Sequence, residues 1–137
     1  MDENCQTMLP GFFACGNVLH VHDLVDYVSE EAERAGAAAA KLVQQKLIKA
    51  EGVLTKAGYG VRYVLPQRIH LEGEQIALFL RVTQPFGKVR FTVTSGENVI
   101  ASVSRMKAAP GEMEKIILKP EALKLVQGPI AVSLEER

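Results

Sequence analysis

The chain has 137 residues, of which 47% are apolar and 23% are charged. This composition is that of a globular protein, and it excludes a disordered or collagen-like chain. The 16 basic and 16 acidic residues give a formal net charge of zero, so the overall charge attracts neither nucleic acid nor anionic lipid. We therefore predict no nucleic-acid partner and no membrane partner.

The cellular compartment is predicted from targeting signals and cysteine usage. The sequence has no apolar run of about 18 residues, which a membrane-spanning helix needs. Its first residues also lack the basic and apolar regions of a signal peptide. Two cysteines are too few for a disulfide framework and fit a reducing compartment. We predict a cytoplasmic protein.

Charge and composition both change near residue 51. Residues 1–51 carry 4 basic against 8 acidic residues, and residues 52–137 carry 12 basic against 8 acidic residues. The first part is rich in alanine, whereas the second has strand-like patterns. Because glycines at positions 52, 58 and 60 loosen the backbone between them, we predict a first segment (1–51), a linker (52–59) and a second segment (60–137).

The first segment is predicted to form a turn at 9–11, a short strand at 12–15 and a long helix. The apolar run at 12–15 is typical of a buried parallel strand, and Gly16 and Asn17 end it. From about His22 onward the pattern predicts a helix of about 28 residues, roughly 42 Å long. Small residues at 35–40 would let another backbone approach closely, so this helix is expected to have a tightly packed neighbour. Its apolar and small positions recur every three or four residues: Val21, Leu24, Val25, Val28, Ala32, Ala35, Ala39, Leu42 and Val43.

The second segment has the alternation of short antiparallel strands. Val89, Phe91 and Val93 alternate with polar residues, and the residues at 95–98 predict a hairpin turn. Similar runs occur at 61–65, 76–82, 99–103, 116–118 and 130–134, so about six or seven strands predict a small β-sandwich. The whole chain is thus predicted as α+β, a strand and a long Ala-rich helix followed by this antiparallel sandwich. The second segment carries no catalytic triad, metal cluster or phosphate loop, so we assign no catalytic residue and expect it to pack or to contact a partner.

Residues 7–18 (TMLPGFFACGNV) resemble the C-terminal flavin motif of the FAD-dependent pyridine nucleotide–disulfide oxidoreductase superfamily. That motif runs T-x-x-P-G-[IVF]-[FY]-A-x-G-D and precedes a helix rich in small residues. The resemblance covers roughly residues 4–48. It implies that the first segment is the C-terminal part of an FAD-binding α/β domain.

The resemblance also implies a cofactor and the residues that contact it. In the family, the residue after the last glycine accepts a hydrogen bond from a ribityl hydroxyl of FAD, and the amides opening the next helix face the flavin pyrimidine ring. Carried over, Gly16 and Asn17 would lie at the ribityl chain, and the amides of Asp23, Leu24 and Val25 at the ring. Asn17 stands where the family has Asp, and an amide oxygen is a weaker acceptor than a carboxylate.

Other parts of a flavoenzyme are absent from this sequence, which contains neither G-x-G-x-x-G nor C-x-x-C. We therefore predict the C-terminal portion of an FAD-dependent, NAD(P)-linked oxidoreductase, inactive and without tight FAD binding on its own. Its partner would be the rest of the flavin domain or a partner subunit. The second segment further resembles the C-terminal extension of a bacterial subgroup similar to the sarcosine oxidase alpha chain and the cyanide-forming glycine dehydrogenase, through residues 63–69, 81–82, 110–113 and 132–136.

The sequence leaves two alternatives to weigh. His20 and His22 form an H-x-H pair, and a metal site would need a third ligand such as Asp23 or Asp26. We favour polar residues that open a helix beside a cofactor pocket, and assign no metal ligand. The second alternative is a stand-alone interaction module without cofactor. A helix too long for the second segment to cover predicts a homo-oligomer under either hypothesis.

Overall fold

The structure, a computed structural model, describes residues 1–44, 51–71 and 75–137. In these residues the chain is mixed α/β and mostly β, with one main helix and eight strands in two sheets. The main helix, α1, spans Val25–Val43, and a one-turn helix, α2, spans Pro120–Leu123. A short 3-10 turn covers Gly16–Val18. No helix in the described ranges has both the length and the apolar character needed to cross a membrane.

The strands form two sheets that together make the β module. In chain order they are β1 (Val53–Ala57), β2 (Val61–Leu65), β3 (Arg68–Ile69), β4 (Ile76–Val82), β5 (Val89–Ser95), β6 (Asn98–Arg105), β7 (Glu114–Leu118) and β8 (Ile130–Glu136). One sheet has the order β3-β1-β8-β5-β6 and the other β2-β4-β7. Neighbouring strands run antiparallel except β1 and β8, which are parallel. This arrangement is consistent with a β-sandwich.

The core lies between the two sheets. Along β5 every second residue is buried. One of them, Phe91, lies opposite Val103 on β6 and Leu134 on β8. Strands β4 and β7 add Leu78, Leu80 and Ile116 to the same apolar cluster. Gly60 lets the chain turn against this core. Its φ is +75°, and a Cβ there would lie 2.5 Å from Cγ of Leu134.

Most predicted strands are confirmed, and so is the hairpin between β5 and β6. Strand β1 occupies most of the stretch 52–59 that was predicted as a linker. There Thr55–Ala57 pair with residues 130–132 of β8, a partner far along the chain that local sequence does not reveal. Within residues 60–137 the described strands pair antiparallel, as predicted, and the parallel pair of β1 with β8 involves a strand outside that range.

The first segment differs from its prediction in two ways. No strand forms at 12–15, where a single bridge joins Phe13 to Gln6 and Phe12 is 64% exposed. A buried parallel strand needs parallel neighbours, and the described residues supply none there. The helix begins at Val25, later than the predicted His22, and the predicted continuation through residues 45–50 lies outside the described residues.

Candidate functional site

Two histidines and a glutamate come together where the chain enters α1. Nε2 of His20 lies 3.0 Å from Oε2 of Glu31, and Nε2 of His22 lies 3.1 Å from Oε1. The three potential ligand atoms all lie within 4.8 Å of one another. The imidazole rings meet edge to face, with centroids 4.3 Å apart. Both histidines therefore direct their Nε2 atoms at the carboxylate of Glu31.

The helix period explains why Glu31 points inward. Glu31, Ala35 and Ala38 are the buried residues of α1, and spacings of four and three place them on one face. The 3-10 turn Gly16–Val18 packs beside this face, and the Gly16 amide donates to Oε1 of Glu31 at 2.6 Å. The carboxylate thus joins the turn, the two histidines and the helix.

Electrostatics favour an ionised Glu31. Burial opposes the charge, but hydrogen bonds from His22, the Gly16 amide and His20 outweigh it and hold the pKa of Glu31 below its usual value. Burial lowers the pKa of His20, and the hydrogen bond and charge of Glu31 oppose this only in part. Near neutral pH the cluster therefore holds a carboxylate that accepts hydrogen bonds from a neutral His20.

A second layer of side chains links the cluster to the β module. Tyr63 on β2 places its hydroxyl 3.4 Å from Nδ1 of His20. Burial raises the pKa of Tyr63, against an opposing hydrogen bond from Arg81 on β4. Arg81 also donates to the carboxylate of Asp23 and to the Val21 carbonyl. These contacts hold residues 20–23 in a non-helical path, which explains why α1 starts late.

The residues predicted to contact flavin lie in this same region. Gly16 has a φ of +73° and Asn17 is exposed at the turn. Leu24 is the N-cap and Val25 the first residue of α1, and no side chain in the described part of the chain caps the helix. Asp23 precedes the helix, and its carboxylate accepts hydrogen bonds from Arg81 and from the Met113 amide. The first-turn amides of α1 accordingly belong to residues 25–27, so of the three predicted residues only Val25 is in the helix.

The sequence pattern suggests Asp23 or Asp26 as the third ligand and does not indicate Glu31. Asp23 is engaged by Arg81, and Asp26 is exposed in the first turn of α1. One signal could have identified Glu31. It is a charged residue four positions before Ala35 and seven before Ala38, so it lies on the face that an amphipathic helix buries.

The two cysteines are free thiols on either side of the turn at 9–11. Cys5 is buried, and its thiol approaches the backbone carbonyl of Glu31 at 3.8 Å. Burial, with Glu31 and Cys15 adding smaller effects, raises the pKa of Cys5 to about 11. Cys5 is therefore a protonated, unreactive thiol at neutral pH.

Comparison with protein families, curated proteins and solved structures found no match to this chain. Its function is therefore inferred from the chain's own residues.

Proposed function

We propose that this chain is the C-terminal portion of an FAD-dependent, NAD(P)-linked oxidoreductase, in which residues 1–51 complete the flavin-binding domain. The β module would serve for packing or partner contact. The chain lacks both dinucleotide loops, so it is expected to be inactive without the rest of the flavin domain or a partner subunit. The motif at residues 7–18 motivates the proposal.

The observation that carries the proposal is the apolar surface of the first segment. A soluble domain buries most of its large apolar side chains, and a concentration of exposed ones marks a surface that another body covers. Here the exposed side chains are concentrated in the part that resembles the end of a flavin domain. They are Met8, Leu9, Phe12, Val18, Val21, Leu24, Val25, Val28 and Val43.

The packing of α1 supports the same proposal. Tyr27 and Glu30 of the helix contact Phe79 and Lys115 of the β module. Ala32, Gly36, Ala37 and Ala40 are exposed on its other sides. Small residues in that arrangement permit close approach of a further helix or strand, as the missing part of an α/β domain would require.

The turn and the helix start would supply the cofactor contacts. Asn17 is exposed beside a glycine with positive φ, so its amide oxygen is available to a hydroxyl of the ribityl chain. The uncapped amides that open α1 would face the flavin ring, where their partial positive charge favours an anion. The flavin would supply the hydride chemistry, and this chain would supply orientation and electrostatics.

The stand-alone interaction module remains the alternative. The exposed apolar side chains are expected to drive self-association of the isolated chain under both hypotheses, so oligomeric state does not separate them. Retention of a flavin does. The decisive material is the native assembly from source cells, because it contains any missing domain or subunit.

Substitution of Asn17 tests the proposed contact in that assembly. With Asn17→Ala introduced at the chromosomal locus, one hydrogen bond to FAD is lost, and we expect dissociation of FAD to become a few-fold to about tenfold easier. Asn17→Asp restores the charged acceptor of the family motif and should tighten binding. Gln84→Ala removes an exposed amide from the β module and is the matched control. Equal FAD retention in all variants would contradict the contact.

A further inference from the structure

We propose that His20, His22 and Glu31 form a binding site for one divalent transition-metal ion, with Zn²⁺ as the preferred ion. The site does not depend on the proposed flavin function, because it is built from side chains within this chain. Two imidazoles and one carboxylate are a recognised ligand set for zinc, with a fourth position left for water or another ligand.

The distances suit a tetrahedral ion. Ligand atoms that lie 2.0–2.1 Å from zinc at tetrahedral angles are about 3.3 Å apart. The two imidazole nitrogens lie 3.0 and 3.1 Å from the carboxylate oxygens of Glu31. The imidazole nitrogens contact different oxygens of Glu31, and the three ligand atoms lie within 4.8 Å of one another, so an ion bound by one carboxylate oxygen requires the ligands to move together by at most about 1.5 Å.

The surroundings bury the three ligands and orient one of them, His20. The side chains of His20, His22 and Glu31 are only 4%, 2% and 5% exposed, so bulk water competes little. Binding through Nε2 moves the imidazole proton to Nδ1, where Tyr63 offers an oxygen to His20. Nδ1 of His22 is buried and has no hydrogen-bond partner within the described residues. The proton of His22 can therefore move from Nε2 to Nδ1 without breaking a hydrogen bond at Nδ1.

The ligand chemistry selects the class of ion. Neutral imidazole nitrogen suits zinc and its first-row neighbours, whereas calcium and magnesium prefer oxygen ligands. The carboxylate supplies one negative charge, which partly compensates a divalent ion in a buried place. The Gly16 amide, 2.6 Å from Oε1, leaves Oε2 as the less engaged oxygen.

Metal titration of the chelator-treated chain tests the site. Zn²⁺ binding is followed by calorimetry, and Co²⁺ serves as a spectroscopic probe because its visible absorption intensifies on tetrahedral coordination. We expect about one equivalent per chain and a rise in Tm with Zn²⁺. His22→Gln should weaken binding by at least about tenfold and abolish the intense Co²⁺ bands. His70→Gln is the matched control, because His70 pairs with Glu3 outside the cluster.

The outcomes separate a metal site from a hydrogen-bonded cluster. Stoichiometric binding that is lost in His22→Gln and kept in His70→Gln supports the proposal. Absence of binding to the wild-type chain, or equal binding by both variants, overturns it. The Co²⁺ spectrum of the wild-type chain decides the question even if His22→Gln fails to fold, because only weak octahedral bands would also refute the site.

Discussion

The Glu31→Gln substitution is expected to loosen the first segment without unfolding the β module. Glu31 accepts hydrogen bonds from His20, His22 and the Gly16 amide, and only 4% of the residue is exposed. Glutamine has nearly the same shape, but it removes the charge and turns an acceptor oxygen into a donor that faces other donors.

The magnitude follows from the buried contacts. A hydrogen bond to a charged group contributes about 1.5–3 kcal/mol, and removal of one partner of a buried pair costs about 3–5 kcal/mol. Because glutamine keeps one acceptor oxygen, we expect a loss of about 3 kcal/mol, which is about a hundredfold in an equilibrium constant. The loss should remain local, since the main apolar cluster runs from Val61 to Leu134 and contains no residue of α1.

Amide hydrogen exchange of the metal-free protein measures this directly. Under conditions where exchange reports the opening equilibrium, amides of α1 should lose up to about a hundredfold in protection, and those of β5 and β8 should keep theirs. Glu33→Gln, an exposed change on the same helix, should alter neither set. Unchanged α1 protection in Glu31→Gln, or equal loss in helix and sheets, would refute the reasoning.

Two further predictions concern the core and the thiol. Gly60→Ala should lower the free energy of unfolding by about 3 kcal/mol in urea denaturation, because position 60 has a positive φ and the new Cβ would clash with Leu134. Gly111→Ala places its Cβ in open space and should change the free energy of unfolding by less than about 0.5 kcal/mol. A loss in Gly60→Ala as small as that in Gly111→Ala would contradict this prediction. Cys5 should resist alkylation in the native protein at pH 8 and react faster as pH rises toward 11, as mass spectrometry would detect. The folded thiol keeps its proton up to a pKa of about 11, and the unfolded thiol only up to about 9. The free energy of unfolding should therefore be highest below pH 9 and fall as the pH rises through 11. Rapid labelling of native Cys5 at pH 8 would contradict the raised pKa and with it this pH dependence.

The β module was largely predictable because its signals are local. Strand β5 alternates buried and half-buried residues along its whole length, and the turn after it is marked by Gly96, whose φ is +57°. Strand β1 was not predictable in the same way. It has no clear alternation, its exposed Leu54 breaks the pattern, and its pairing with β8 joins distant parts of the chain.

The candidate site was predictable only in part. The H-x-H pair is visible in the sequence, but the third residue of the cluster, Glu31, lies nine residues beyond His22. Its position relative to the two histidines depends on both the helix period and the bend before α1. That bend depends on Arg81 of β4, which holds Asp23 and the Val21 carbonyl. A contact of this kind depends on tertiary structure, so the local pattern predicted an earlier helix start.

The proposal that the first segment completes a flavin site is tested most directly by flavin content. An antibody against residues 60–137 would isolate the protein from its source cells without denaturation, and mass spectrometry would quantify the flavin released per mole of antigen. We expect about one FAD for each copy of this chain, whether the dinucleotide loops lie in the same polypeptide or in a second subunit. Antigen recovered in its native assembly without FAD would contradict the proposal.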